Sequence, residues 1–413
     1  MKMMRLRLAR TAVAFVCGAM ALAAEANAWV VGQVAPMSGA GATQGRAYAQ
    51  GMRLYFDQIN KAGGVQGQPV QLVTVDDVGH PDETVDKTRK LLDESKPVVL
   101  AGYFGNRNMA SLLDSKLLDQ SQISLVGYQS TDTRVLSHPQ IFSTRANLPE
   151  EMAKIASHLA TVGITRLALL HDERPDAKAV AELVDKAIAP SKAKLVVSAS
   201  LSTGKGAMDK AVSQLQKAQP SAQAVMVVAS SPVTSAFVEA YRMAGGTAQI
   251  YATSEADIEQ LAKRLPVEFM SGLSIAQVVP SPYKVTMRLN KEFRDAATAA
   301  GKSLTVPVSY AMMEGYVNAR VIVEAMRRTQ PLTREKLAAS LRGLDAFDLG
   351  GVADLKGIKI DGGNVVIGAM TTHAAVAASA DVKKAVPALA ELAGGIGDPM
   401  VRNMGTLGGS IAN

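Results

Sequence analysis

Trp29-Val30-Val31-Gly32-Gln33-Val34-Ala35 is a short apolar run that gives way to the polar loop Pro36–Gly45 and then to the helical stretch Gly45–Asn60. The run has a strand's length and is rich in valine, and Pro36 with the glycines behind it ends the pattern. The same unit then recurs. Strands are predicted at Val70–Asp76, Val98–Gly102, Ser124–Gly127, Arg166–His171, Leu195–Ser200, Ala224–Ala229, Gln249–Ala252 and Leu273–Val278. Helices are predicted between them at Pro81–Ser95, Ala110–Gln120, Pro149–Thr161, Ala177–Ala189, Met208–Gln219 and Pro232–Ala244. Short buried strands alternating with amphipathic helices define an α/β protein with doubly wound parallel sheets.

The rhythm restarts near Arg145–Pro149, so the chain reads as two lobes, with crossings expected near 145–149 and 278–283. Residues 29–148 with about 279–320 are assigned to the first lobe, and 149–278 with about 321–350 to the second. A long helix, Pro307–Thr329, carries Tyr310, Met313, Val317, Val321 and Met326 on roughly one face. Open α/β sheets bind ligands outside the carboxyl ends of their strands. This directs attention to the loops Pro36–Gly45, Asp76–Asp82, Tyr103–Asn108, Tyr128–Arg134, His171–Asp176 and Ser230–Thr234. Several precede helices, whose free N–H groups favour an anionic group such as a carboxylate.

At 413 residues the chain has room for two domains at roughly 150 residues each. Hydrophobic residues form 48% and charged residues 20%, which excludes a disordered chain. Residues 1–28 read as a secretory signal: Lys2, Arg5, Arg7 and Arg10 precede the apolar Ala12–Ala24, and Ala26-Asn27-Ala28 is a small-x-small cleavage pattern. Cleavage after Ala28 and export to the periplasm are expected. The formal charge is +7, and the leader holds four positive charges and one negative (Glu25), leaving +4. That mild excess gives no reason to invoke nucleic acid. The single cysteine, Cys17, lies in the leader, which excludes a disulfide framework and a thiolate metal site. No run of about 18 apolar residues follows residue 30, so no membrane span is predicted.

Catalytic motifs do not accumulate. Gly39-Ala40-Gly41-Ala42-Thr43-Gln44-Gly45 nearly matches a dinucleotide fingerprint, but its third glycine comes one residue late, and tight strand–helix packing explains it better. Asp76 and Asp77 are neighbours on a strand and point to opposite faces, so strand-end capping and domain contact outweigh acid/base work. His80, His138, His158, His171 and His373 have no metal-ligand spacing, and no metal site is expected.

Several stretches form a set: Val31–Gly39, Ile59-Asn60-Lys61-Ala62-Gly63-Gly64-Val65-Gln66-Gly67, Val73–Asp77, Thr88-Arg89-Lys90-Leu91-Leu92, Leu125-Val126-Gly127, Ser309-Tyr310 and Glu314-Gly315-Tyr316. Through them residues 30–350 resemble the type I periplasmic solute-binding proteins of the leucine/isoleucine/valine-binding family. The resemblance implies a two-lobed fold that binds a small polar solute, such as an amino acid, between its lobes and delivers it to the membrane permease of an ABC importer. A monomer or weak dimer, no catalysis and no cofactor are expected. In the amino-acid-binding members a Ser after the third strand and a hydroxyl pair after the fourth hold the charged ends of the ligand. Here Gly105 or Asn106 falls at the first position and Ser130-Thr131 at the second. The second lobe of that family supplies an acidic or aromatic residue, and His171-Asp172-Glu173 occupies the corresponding loop. The resemblance therefore implies Tyr103, Asn106, Tyr128, Ser130, Thr131, His171 and Asp172 as ligand-binding residues.

The tail, Asp348–Asn413, holds Val366–His373, Ile396-Gly397-Asp398-Pro399-Met400-Val401-Arg402-Asn403 and Met404–Ser410. On these stretches it is similar to the FAD-binding subunit of molybdenum hydroxylases such as carbon monoxide dehydrogenase. This likeness implies a partial FAD-binding α+β segment at 351–413, with Thr406, Gly408, Gly409 and Ser410 in a turn that wraps the FAD pyrophosphate and Thr371, Thr372 and His373 lining the flavin. The first pyrophosphate loop of that family is absent, and Ala374–Leu392 reads as an Ala-rich helix. Two functional classes follow: an exported binding protein, implied by the longer stretch, and a flavin-binding electron-transfer subunit, implied by the tail. A periplasmic sensor shares the first fold.

Overall fold

The computed structural model describes residues 28–344, except 40, 175, 203–205 and 286, and residues 357–402, except 362–363, 369–370 and 397–401. The chain divides into two compact units, one ending at Leu341 and the other beginning at Arg342.

In the larger unit the first lobe begins with β1 (Trp29–Ala35), α1 (Ala42–Lys61), β2 (Val70–Asp76) and α2 (Pro81–Glu94). It continues through β3 (Val99–Phe104), α3 (Asn106–Asp114), α4 (Leu117–Ser121), β4 (Leu125–Gln129) and β5 (Ile141–Phe142). The strands form one parallel sheet in the order β2-β1-β3-β4-β5, with Trp29 opposite Val70 and Ala35 opposite Asp76. All six residues of β3 are buried, as in a central strand covered by helices on both faces. Gly45 lets α1 start hard against the end of β1, because a Cβ there would meet the Pro36 carbonyl oxygen at 2.1 Å. This confirms the packing reading of the glycine-rich turn. The expected helix Ala110–Gln120 is two pieces, broken where Lys116 takes φ 58°.

The chain then crosses to α5 (Leu148–Thr161), where Asn147 and Glu150 form a reciprocal capping box. The second lobe follows as β6 (Arg166–Asp172), α6 (Ala177–Ile188), β7 (Lys194–Leu201), α7 (Ala207–Lys217), β8 (Ala224–Val228), α8 (Ser231–Met243), β9 (Gln249–Ala252), α9 (Ile258–Arg264) and β10 (Leu273–Ile275). Its parallel sheet has the order β10-β9-β8-β6-β7. Each strand predicted from sequence forms, and the two-residue β5 is an addition.

After β10 the chain returns. Val279 joins the core of the first lobe with Phe293, Met312 and Tyr316, bringing α10 (Arg288–Ala300) and α11 (Tyr310–Arg328) with it. The assignment of residues from 321 onward to the second lobe is incorrect. Helix α11 lies along α1 over its length, and its Asn318 amide donates to the Val126 carbonyl in β4. Gln66 donates to the carbonyls of Met326 and Thr329, and Arg334, opening α12 (Arg334–Gly343), donates to those of Pro97 and Ser121. These partners are all in the first lobe. The helix is buried on more than the single expected face because α1 and the sheet both cover it.

The smaller unit holds an antiparallel pair, β11 (Ile358–Asp361) and β12 (Asn364–Ile367), then α13 (His373–Ala378), α14 (Ala380–Ala385) and α15 (Pro387–Gly394). Val376, Val382, Ala390 and Ala393 form its own small core. The single helix expected at Ala374–Leu392 is interrupted by Ser379, which caps α14 through the Val382 amide, and by Pro387 at the start of α15.

Candidate functional site

Both parallel sheets of the larger unit present the carboxyl ends of their strands to one cleft, as the rule for open α/β sheets requires. The cleft has a volume of about 1420 Å3, and each of the six loops singled out from sequence contributes to its lining.

At its floor the lobes meet through polar side chains. Asn106 follows Gly105, whose φ of 95° turns β3 into α3. Its carboxamide oxygen accepts from Ser130 Oγ and from the Thr131 amide, both at 2.8 Å. Its Nδ2 donates across the cleft to Glu255 Oε1 at 3.1 Å. Thr131 Oγ1 accepts from Arg174 Nη1 at 2.6 Å and donates to Glu255 Oε2 at 3.3 Å. Arg174 Nη2 also donates to the Thr131 carbonyl at 2.7 Å. Arg174 is paired on its own side with Asp176, at 2.5 and 3.0 Å, and Asp176 accepts from the Thr133 amide at 3.4 Å.

Asp172 ends β6, with Oδ1 buried, without a hydrogen-bond partner and 4.0 Å from Arg174. Burial pushes Asp172 and Glu255 above the usual carboxylate range; Glu255 reaches about 7, with Asp172 adding to the shift and Arg174 opposing it. Burial would raise Asp176 too, but the Arg174 bonds outweigh it and hold that carboxyl low. The floor thus offers a guanidinium and hydroxyls close to carboxylates. Beneath it, Tyr128, Ser130, Thr131, Arg145, Glu151 and Glu255 line a pocket of about 20 Å3, room for one water.

Of the residues implied by resemblance, Asn106, Ser130, Thr131 and Asp172 come together here, with Tyr128 below them. Tyr103 and His171 do not. Tyr103 is buried in the core of the first lobe, its hydroxyl 3.0 Å from Thr88 Oγ1. His171 is buried beside Asp172, its Nδ1 2.8 Å from the Asp172 carbonyl, and is not part of the cleft wall. Successive strand residues point to opposite faces, so Asp172 and His171 cannot both enter the cleft. Sequence reading missed Glu255, Arg174 and Asp176 as individual residues. Glu255 could have been found, since Thr253-Ser254-Glu255 follows β9 as the other site loops follow their strands.

Asp76 accepts from the amides of Met37, Ser38 and Val78, and buried Asp77 from the Gly79 amide, Thr84 and Asn108. Both therefore cap loops of the first lobe, and these partners make no domain contact. In the smaller unit Thr371 Oγ1 donates to the Gly357 carbonyl and accepts from its amide, each at 3.0 Å, and Thr372 caps α13. Thr371 and His373 are buried in this unit. Thr406, Gly408, Gly409 and Ser410 lie outside the described residues. Among the described residues no group of His, Cys, Asp or Glu is placed to hold a metal ion, and no helix is long and apolar enough to cross a membrane.

Two α/β lobes joined by crossings, with a polar cleft between the carboxyl ends of their strands, define a two-lobed solute-binding protein. Residues 28–372 match the model for "Periplasmic binding protein", and the chain belongs to that family. It is similar to a substrate-binding periplasmic protein from Ralstonia solanacearum, at 30% identity and a TM-score of 0.68, covering 83% of this chain and 92% of that one. Among curated proteins it matches an amino acid binding protein from Pseudomonas aeruginosa, 30% identical over 106 residues, 26% of this chain and 28% of that one. It also matches the carbon monoxide dehydrogenase medium chain of Hydrogenophaga pseudoflava, 47% identical over 67 residues, 16% of this chain and 23% of that one. The matched stretches span less than a third of either curated relative.

Proposed function

We propose that this chain is the exported, periplasmic solute-binding component of an ABC importer, and that its solute is an amino acid or a close relative. The observation that carries the reading is the opposed charge on the cleft floor. Arg174, Ser130 and Thr131 suit a carboxylate, while Glu255 and Asp172 suit an ammonium, within one cleft between two lobes. The amino-acid-binding relative from Pseudomonas aeruginosa agrees with this ligand class. Lobes joined by crossings close around a ligand by hinge motion, and a permease would read the closed form. A leader cleaved after Ala28 and a monomer or weak dimer complete the proposal.

The test is a thermal-shift screen of the purified protein against the common L-amino acids, followed by the esterified and deaminated forms of any hit. A hit is expected to lose its effect when either charged end is removed. A ligand that binds only the folded state adds about 2.7 kcal/mol at a hundredfold excess over its Kd. A panel without a single stabilising member would defeat the ligand class.

The second reading, a flavin-binding segment, is favoured by the short match to the carbon monoxide dehydrogenase medium chain. We propose that the chain nevertheless retains no FAD. An isoalloxazine ring needs a largely apolar cleft that buries most of its surface. Thr371 and His373 are instead buried in the fold. Absorbance after FAD incubation and desalting checks this; a stoichiometric flavin band would promote the second reading.

A further inference from the structure

Arg145 lies in the first crossing, between β5 and α5, and its backbone is fastened there. Ser143 Oγ accepts from the Arg145 amide at 3.2 Å and donates to the Arg145 carbonyl at 2.8 Å. Its side chain, only 6% exposed, reaches in two directions. Nη2 donates to Ser254 Oγ in the second lobe, and Nη1 lies 3.7 Å from Glu314 Oε1 on α11 of the first. Ser254 is held in turn by Glu151 of α5, its amide donating to Oε2 at 2.8 Å and its hydroxyl to Oε1 at 2.6 Å. The residue after Ser254 is Glu255, which enters the cleft.

A buried arginine that served only the stability of a lobe would find its partners within that lobe. The two partners of Arg145 belong to different lobes, while its backbone belongs to the crossing between them. One contact is a hydrogen bond. The other is a separated charge pair whose facing atoms, Nη1 and Oε1, have no hydrogen-bond partner. Opening the lobes must therefore stretch one of the two.

We propose that Arg145 is a positioning residue for the cleft, tying Glu314 of the first lobe to the Ser254–Glu255 loop of the second, so that lobe closure and placement of Glu255 are one event. The proposal rests on the cleft being the binding site. Its test uses no ligand, so failure of the amino-acid assignment and failure of this proposal are separate results.

Spin labels at Lys90→Cys and Lys178→Cys, both exposed and one in each lobe, report the interlobe distance in the full chain carrying Cys17→Ser. The background, Arg145→Met, Ser254→Ala and Glu314→Gln are compared by pulsed electron resonance. Arg334→Met is the control, because its bonds stay within the first lobe. Arg145→Met and Ser254→Ala are expected to shift the distribution to longer distances, with loss of its shortest population, and Glu314→Gln to do so less. The control should match the background. A purely structural role would lower the melting temperature and leave the distances in place. Unchanged distances in both Arg145→Met and Ser254→Ala overturn the proposal. Removing one member of a buried ion pair can unfold a protein; if Arg145→Met does so, Ser254→Ala, which removes one hydroxyl, decides alone.

Discussion

Thr131 and Arg174 share two hydrogen bonds across the cleft, and a solute that enters between them has to replace both. Ser130→Ala with Thr131→Ala should weaken amino-acid binding by roughly 1–3 kcal/mol through unmade hydrogen bonds, read by calorimetric titration. Unchanged affinity would remove the pair from the site. Glu255 makes a prediction about pH. Its folded-state value is raised from 4.5 to about 7, so the folded protein holds a proton that the unfolded chain has released. Stability from this group is therefore lost as pH rises from 4.5 to 7. Glu255→Gln abolishes that loss, and its stability relative to the parent should improve by about 2–3 kcal/mol across the window. Urea unfolding at a series of pH values measures it, and a pH-independent difference would refute the shift. At this scale sequence was a partial guide. The loops holding Asn106, Ser130, Thr131 and Asp172 were legible because they lie at the carboxyl ends of parallel strands, and the resemblance singled these residues out within them. Tyr103 and His171 were misread because strand alternation puts neighbours on opposite faces without saying which of the two faces the cleft.

Helices α1 and α11 approach so closely that glycine is required on both. A Cβ at Gly51 would meet the Met312 carbonyl oxygen at 1.9 Å, and one at Gly315 the Tyr48 carbonyl oxygen at 2.1 Å. Backbone cannot step aside as a flexible side chain can. Gly315→Ala should therefore cost about 1–3 kcal/mol or more, the range for overpacking a filled core, rather than gain the usual helix propensity of alanine. Chemical denaturation decides: a variant as stable as the parent would mean that the helices can separate at little cost. The existence of α11 was legible from its apolar run, but its lobe was not. Periodicity identifies a face that must be covered, and the partner is chosen by shape, here by glycines 264 positions apart along the chain.

The two units have separate cores, and those of the larger one are built from residues up to Leu341. Truncation after Leu344 should accordingly leave a folded protein with an unchanged melting temperature and an unchanged response to amino acids. Scanning calorimetry of the two lengths tests this, and collapse of the short form would show that the family match up to residue 372 reflects a structural need. The two-lobed plan was legible because its strand–helix rhythm restarts. The return of the chain after residue 321 was not, since nothing local in a helix records which earlier helix it joins.

That return has a consequence for biosynthesis. The second lobe is one uninterrupted stretch, from α5 to β10, whereas the first is completed only by α10 and α11, which come after it. Delivered across the membrane amino end first, the first lobe waits with the apolar side of α1 uncovered while the second can already close its sheet. Purified chains truncated near residue 285 should thus show a protease-resistant second lobe beside an unfinished first. During that interval α1 is the surface on which a chaperone has most to protect.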